Sequence, residues 1–287
     1  MHYIVHRKGK QVRPMMVLLS AQLAGGINEK TFRAASLIEL LHTASLVHDD
    51  VVDSSDVRRS FFSINALWKN KAAVLVGDYL LSKGLLLSLE NDDFDLLKIV
   101  SHAVKELSEG ELLQMEKSRG INKSEAVYLE IIQKKTASLF ESACGCGAAS
   151  TSCDEATVQS FKTLGNALGM AFQIKDDLLD LGTDDVGKPT ATDLKEKKLT
   201  LPVLFALQQC NSSEQRNLIN NIKKAEKTPA IIPIIITLVQ KKGGIEYAKK
   251  IMQTYIDVAH AQLNLLPSSA SKSAFEQLIQ FVITRKN

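Results

Sequence analysis

Leu41-His42-Thr43-Ala44-Ser45-Leu46-Val47-His48-Asp49-Asp50-Val51-Val52-Asp53 decides how this chain is read. An apolar segment of helical period runs into two aspartates, two valines and a third aspartate. The same arrangement returns far along the chain as Asp176-Asp177-Leu178-Leu179-Asp180, again at the end of a helical apolar segment. On a helix, the first and last carboxylates of each cluster lie four residues apart, on one face and one turn from each other. Gathering carboxylates on one face is repulsive, so something positive must hold them. Hard divalent cations with oxygen ligands meet that need, and Mg²⁺ keeps ligand positions for water and substrate phosphates. The two clusters therefore point to a site that grips a diphosphate through Mg²⁺. Calcium loops do not fit. They set oxygen ligands at alternate positions around a glycine turn, where this chain has valines and leucines. A surface acidic patch explains either cluster alone. It does not explain two of identical spacing, each followed by basic loops, in a helical chain.

The cations near the clusters carry the reading further. Arg58 and Arg59 follow the first cluster. Adjacent side chains point in different directions, which suits two separate anions, and a guanidinium matches phosphate oxygens bidentately. His42 stands seven residues before Asp49 and faces the same way, with Ser45 continuing the line. Lys10 and Arg13, three apart at a helix start beside Pro14, lie near the positive end of the helix dipole. Alone, that segment reads as solvated basic surface. Gln173 precedes Asp176 by three residues, so its amide reaches the same ligand. Gly187-Lys188-Pro189 sits on a loop able to fold back over a site, and Lys195 to Pro202 follows it. Neither GxxxxGK[ST] nor GxGxxG occurs, which sets aside the usual nucleotide-binding loops.

The rest of the chain reads as one all-α domain over residues 1–287. Only 15 Gly and 6 Pro in 287 residues leave few turns, so long helices are expected. They are placed near Pro14–Ala24, Thr31–Asp53, Ala72–Leu89, Phe94–Ser118, Ser124–Ala149, Asp154–Leu181 and Lys198–Gln209. Four more follow near Ser213–Lys227, Pro229–Lys241, Ile245–Leu265 and Ser269–Arg285. Asn28, Asp154 and Ser269 are the expected caps. No alternating strand pattern or linker is found. The most apolar run, Ile231 to Leu238, contains Pro233, reads as a buried helix and is too short to span a bilayer. No stable membrane anchor is expected. A net charge of +3 is too small to argue for nucleic acid. Cys144-Gly145-Cys146, with Cys153 and Cys210, lacks zinc spacing and suits reduced thiols in the cytoplasm. From the polar, basic N-terminus no signal peptide is expected.

These stretches resemble the trans-polyprenyl diphosphate synthases, most closely the long-chain, octaprenyl-type members. The likeness rests on Gly9-Lys10-Gln11-Val12-Arg13-Pro14, Leu41 to Arg59, Val76-Gly77-Asp78-Tyr79, Gly110-Glu111-Leu112-Leu113-Gln114, Lys135-Thr136, Phe172 to Asp180 and Lys198 to Pro202. The resemblance implies the isoprenoid synthase fold, a helical bundle around a central cavity, and a homodimer. It implies that Asp49, Asp53, Asp176 and Asp180 bind Mg²⁺, three ions in all, with Asp50 and Asp177 assisting, and that the metals hold an allylic diphosphate between facing helices. Arg58, Lys135, Thr136, Gln173 and Lys188 would contact that substrate. Lys10, Arg13, His42 and Arg59 would hold the diphosphate of isopentenyl diphosphate, and Lys198 would join the phosphate-binding set.

In that family, bulky residues just before the first cluster block the product tunnel. Here Ala44 and Ser45 stand there and are small, so a product longer than farnesyl is expected. Ser60 replaces the glycine usual after the paired arginines. Family members also carry a helix ahead of Lys10, so the resemblance leads one to expect that this chain starts late or lacks that segment. A geranylgeranyl or farnesyl diphosphate synthase is the alternative within the family. A class I terpene cyclase lacks the isopentenyl grip and the second aspartate cluster. A non-catalytic subunit of a heteromeric synthase usually loses aspartates, and all six stand here.

Overall fold

The computed structural model describes residues 11–52, 57–58, 61–62, 64–118, 123–182 and 191–285, with backbone alone for 118 and for 57–69 where described. Helices dominate. They are α1 (Val12–Ala24), α2 (Glu29–Val52), α3 (Ile64–Leu89), α4 (Phe94–Ser118), α5 (Glu125–Ile132), α6 (Ser138–Ala149) and α7 (Glu155–Asp180). The short α8 (Thr192–Lys195) leads to α9 (Leu201–Gln208), α10 (Ser212–Lys224), α11 (Ile232–Lys241), α12 (Gly244–Asn264) and α13 (Ala270–Thr284). Two features depart from expectation. Val57–Arg58 and Phe61–Phe62 pair as a minimal antiparallel ladder, too short to leave an alternating pattern in the sequence. Gln133–Ala137 forms a π-helical turn between α5 and α6, where an unbroken α-helix was expected.

The three expected caps close their helices. Asn28 Oδ1 accepts the Thr31 N–H at 3.0 Å, Asp154 Oδ1 that of Thr157 at 2.7 Å, and Ser269 Oγ that of Lys272 at 3.1 Å. Each satisfies an amide that the first helical turn leaves without a partner. Helix α9 starts at Leu201, not at Lys198, because Thr200 is extended and Pro202 occupies the first turn. Helix α11 buries Ile232, Ile235 and Val239 while Ile234 is 59% exposed. The apolar run is thus an amphipathic helix with one buried face, not a buried one.

The chain divides into two compact units. One holds the residues up to Val104, Leu139–Gly165 and Ser269–Lys272; the other holds Lys105–Ser138, Asn166–Ser268 and those from Ser273 onward. In the first, α2 packs against α1 and α3. Met16, Leu37, Ile38, Leu96, Phe140 and Phe161 are fully buried there. Arg33 ties α2 to the turn after α3, with Nε 2.6 Å and Nη2 3.0 Å from the two Asp93 oxygens. The four cysteines form no disulfide, and burial pushes the Cys144 thiol up to about 12. In the second unit α12 packs against α9 and α11, and Leu168, Ile174, Leu178, Leu181 and Phe275 are buried. Helix α3 has a window, Asn70–Leu89, long and apolar enough by composition to cross a membrane, yet only 28% of it is buried in this chain.

Gly147 fixes how closely α6 approaches α1. A Cβ there would stand 2.4 Å from the Val17 carbonyl oxygen and 2.8 Å from Ser20 Cβ, so backbone would have to move. At Gly145 a Cβ meets the flexible Lys162 chain at 2.8 Å. Gly147→Ala should therefore lower the free energy of unfolding by about 1–3 kcal/mol, the usual cost of overpacking. Gly145→Ala should be near neutral, because Lys162 can swing away. Urea denaturation of the two variants measures the contrast.

Candidate active site

The second aspartate cluster ends α7, and its three carboxylates have three different settings. Asp177 is 4% exposed and turned into the protein. Its Oδ2 accepts the Tyr128 hydroxyl at 2.5 Å and its Oδ1 accepts the Gln173 amide N–H at 3.0 Å. Burial, and then the nearby Asp193 charge, push the Asp177 carboxyl well above the usual range; the bonds from Tyr128 and Gln173 pull the other way. Burial, then Asp180, raise Asp193 likewise. Asp176 is 41% exposed, and its Oδ1 lies 2.7 Å from Arg285 Nη2. Asp180 accepts the backbone N–H groups of Thr192 and Asp193 at 2.9 and 3.1 Å, which fixes the start of α8 to the end of α7.

The π-helical turn delivers the expected Lys135 and Thr136. Such turns insert one residue into the helical ladder and re-aim the side chains they carry. Gly110 on α4 makes room, since a Cβ there would come within 2.9 Å of Lys134 Cβ and 3.1 Å of the Lys135 nitrogen. Lys135 pairs with Glu111 and lies 3.5 Å from Gln114 Oε1. Thr136 Oγ1 donates to Gln173 Oε1 at 2.8 Å. Lys135, Thr136, Gln173, Asp177 and Lys198 all line one cavity of about 210 Å³, with Tyr128, Asp193, Lys117 and Lys197. Lys198 is 2.6 Å from Glu196. Asp176 and Asp180 are not among its lining residues.

The first cluster ends α2. Asp50 is 4% exposed and Asp49 half-buried, so the middle carboxylate again turns inward. His48 Nε2 lies 3.3 Å from the Val74 carbonyl and 3.2 Å from Asp78 Oδ1, which ties this end of α2 to α3. Arg13 and His42, expected together, meet with Nη1 and Nε2 2.9 Å apart. Arginine only donates, so His42 Nε2 accepts and the ring proton sits on Nδ1. Arg13 also lies over the Phe140 ring at 4.8 Å. Ala44 is buried, and the Ser45 hydroxyl donates to the His42 carbonyl at 2.9 Å. Lys10, Asp53, Arg59, Ser60 and Lys188 lie outside the described residues, as does the Arg58 side chain.

Among the described residues, no three His, Cys, Asp or Glu side chains converge on a ready-made metal cage. Mg²⁺ is usually bound through one or two carboxylates plus substrate phosphates. Asp176, paired with Arg285, and Asp180, bonded to the first amides of α8, are hard oxygen donors one turn apart, while Asp177 turns into the protein toward Tyr128 and Gln173.

Three residues of this site escaped the sequence reading. Tyr128 lies in an apolar helical run and reads as core. Asp193 stands apart from the cluster in sequence, though it follows the Gly187-Lys188-Pro189 loop. Arg285 reads as a solvated end, yet its side chain is 7% exposed and covers the Phe172 ring at 3.6 Å.

Residues 1–239 match the model of the polyprenyl synthetase family, and the chain belongs to that family. It is a prenyltransferase of the trans-polyprenyl diphosphate synthase class. It is 38% identical over 286 residues to the all-trans-nonaprenyl-diphosphate synthase (geranyl-diphosphate specific) of Rhodobacter capsulatus, covering 99% of this chain and 87% of that one. Identity to the octaprenyl diphosphate synthase of Escherichia coli K12 is 34%, over 99% of this chain and 88% of that one. The polyprenyl synthase of Caulobacter crescentus CB15, solved with calcium and isoprenyl diphosphate, superposes with a TM-score of 0.89 at 37% identity. That match covers 98% of this chain and 86% of the other.

Arg285 joins the end of α13 to α7 through Asp176, the Phe172 ring and the Phe172 carbonyl, which accepts from Nη2 at 2.9 Å. Hydrogen bonds to charged groups contribute about 1.5–3 kcal/mol. Half-exposure of Asp176 puts the pair at the low end. Arg285→Ala should destabilise the protein by about 1–2 kcal/mol. Thermal unfolding measures this loss, and Arg285→Lys should recover only part of it because an ammonium cannot form the same planar stack.

Proposed function

We propose that this enzyme condenses isopentenyl diphosphate head-to-tail (1'-4) with an allylic diphosphate to give a long-chain trans-polyprenyl diphosphate. The observation that carries this reading is the convergence of Lys135, Thr136, Gln173 and Lys198 on one cavity beside the second aspartate cluster. Cations and amide donors around a void, with hard carboxylates next to it, suit a metal-bound diphosphate. In this reading Asp49, Asp53, Asp176 and Asp180 would hold three Mg²⁺, which would supply charge stabilisation to the departing diphosphate. Lys135 and Lys198, with Arg58 and Lys188, bind its oxygens and stabilise the negative charge that develops as the allylic carbon–oxygen bond breaks. Arg13 and His42, with Lys10 and Arg59, hold isopentenyl diphosphate so that its double bond meets the allylic carbon. The new carbon–carbon bond forms, and the proton then lost passes to the leaving diphosphate, so no separate base relay is required. We take the two compact units to serve as one catalytic domain.

Small side chains at Ala44 and Ser45 support a long product. Free thiols suit the reducing cytoplasm, where we place the enzyme. Helix α3 bears on the oligomeric state. Leu75, Tyr79 and Leu86 share one face of it and are 68%, 52% and 48% exposed. An apolar stripe of that length on a helix calls for cover, and we propose that a second copy of the chain provides it.

Two experiments follow. The purified chain with Mg²⁺, an allylic diphosphate and labelled isopentenyl diphosphate should form a ladder of linear products longer than farnesyl, sized by chromatography. Asp49→Ala and Asp176→Ala should each cut turnover by a factor on the order of 10²–10³ with unchanged far-UV circular dichroism. Cyclic hydrocarbon, turnover only with a partner chain, or full activity in either variant contradicts the reading. In analytical ultracentrifugation the wild type should sediment as a dimer and Leu75→Glu as a folded monomer; a monomeric wild type contradicts the assignment of α3.

A further inference from the structure

The cavity of the second unit contains a hydrogen-bond chain whose direction can be worked out atom by atom. Tyr128 is 8% exposed, and its hydroxyl reaches Asp177 Oδ2 at 2.5 Å. Burial, then the Asp177 charge, hold the phenol well above its ordinary range, so it keeps its proton and donates. Gln173 Nε2 stands 3.0 Å from Asp177 Oδ1 and donates to it. That leaves Gln173 Oε1 toward Thr136 Oγ1 at 2.8 Å, and the threonine hydroxyl donates to it. The order is Tyr128 to Asp177, Gln173 to Asp177 and Thr136 to Gln173. An amide carries a donor end and an acceptor end of nearly equal shape, and only its partners decide which end faces which way.

We propose that Tyr128 is a positioning residue for the diphosphate grip, acting through Asp177 to fix which end of the Gln173 amide is presented in the cavity. The inference rests on the prenyl-transfer reading of this cavity and adds Tyr128 to it. A diphosphate offers acceptors only, so an amide turned with its oxygen toward it repels where the other orientation binds. With Tyr128 in place, Asp177 Oδ2 is satisfied and Oδ1 takes a single Gln173 N–H. Without the phenol, Asp177 is a buried carboxylate short of one donor, and it competes with the substrate for the remaining ones. The inward turn of Asp177 follows as well: it is the anchor of the amide, and metal ligation is left to Asp176 and Asp180.

Tyr128→Phe keeps the ring and removes the donor. It should raise the KM for the allylic diphosphate about tenfold and weaken binding of inorganic pyrophosphate with Mg²⁺, read by calorimetry, by a similar factor. The KM for isopentenyl diphosphate should change less than about twofold, since that is the scale of an untouched site. Thr136→Val, which removes the other hydroxyl bonded to Gln173, should show the same selective loss. In a Gln173→Ala background the Tyr128→Phe effect should vanish, because the amide it orients is gone. Equal rises in both KM values, or a Tyr128→Phe effect undiminished in the Gln173→Ala background, overturn the proposal. Wild-type turnover with unchanged Tyr128→Phe parameters overturns it while leaving the reaction intact. Pyrophosphate binding by a wild type that does not elongate isopentenyl diphosphate indicts the reaction instead, and the calorimetric comparison then decides on Tyr128. Failure of the wild type to bind pyrophosphate ends both.

Discussion

A carboxylate taken out of water must find its hydrogen bonds inside the protein, and much of the second unit is arranged around that demand at Asp177. An isolated buried charge is costly enough that proteins pair it or neutralise it. Here Tyr128 from α5 and Gln173 from α7 meet the two oxygens, and Thr136 from the π-helical turn completes the chain. Asp193 adds repulsion from the other side. Burial raises both carboxyls, with Asp193 adding to the shift of Asp177 and Asp180 to that of Asp193, and such a region welcomes cations. Lys135 and Lys198 already border it.

Local irregularities place the chemistry. An unbroken α-helix from Glu125 to Ala149 would carry Lys135 and Thr136 on other bearings; the π-helical turn sets them on the cavity. It is accommodated because Gly110 lets α4 come close. Farther along, Asp180 is held by the first amides of α8, and Ala191 and Lys197 on either side of that helix have φ of 47° and 61°. Side chains rarely adopt such values. The segment that brings Asp193, Lys197 and Lys198 to the cavity is thus bent under local strain, a pattern that recurs at functional sites.

Much of this was legible in the amino-acid order, and the parts that were not share a cause. The long helices and the caps at Asn28, Asp154 and Ser269 follow from period and cap chemistry along one chain segment, whereas the grouping of Arg13 with His42, 29 residues apart, comes from the family resemblance. The alternation within the second aspartate cluster is local too: four-residue spacing puts Asp176 and Asp180 on the more open face and turns Asp177 inward. Tyr128, Asp193 and Arg285 acquire their roles only from partners 49, 13 and 113 residues away. A tyrosine among leucines and isoleucines reads as core, and an arginine near the last residue reads as solvated. The π-helical turn left no mark because its residues, Gln133 to Ala137, are ordinary helix formers; the cue lay in Gly110 on another helix. Lys10, Asp53, Arg59, Ser60 and Lys188 fall outside the described residues, so their parts rest on the family resemblance.

The central claim is a division of labour within the second cluster, with outer carboxylates for metal and the inner one for orientation. Anomalous diffraction from crystals grown with Mn²⁺ in place of Mg²⁺ and inorganic pyrophosphate tests it most directly. The account predicts metal peaks within coordination distance of Asp176 and Asp180, with Asp177 still bonded to Tyr128 and Gln173. A metal bound by Asp177, with Tyr128 displaced, would contradict it.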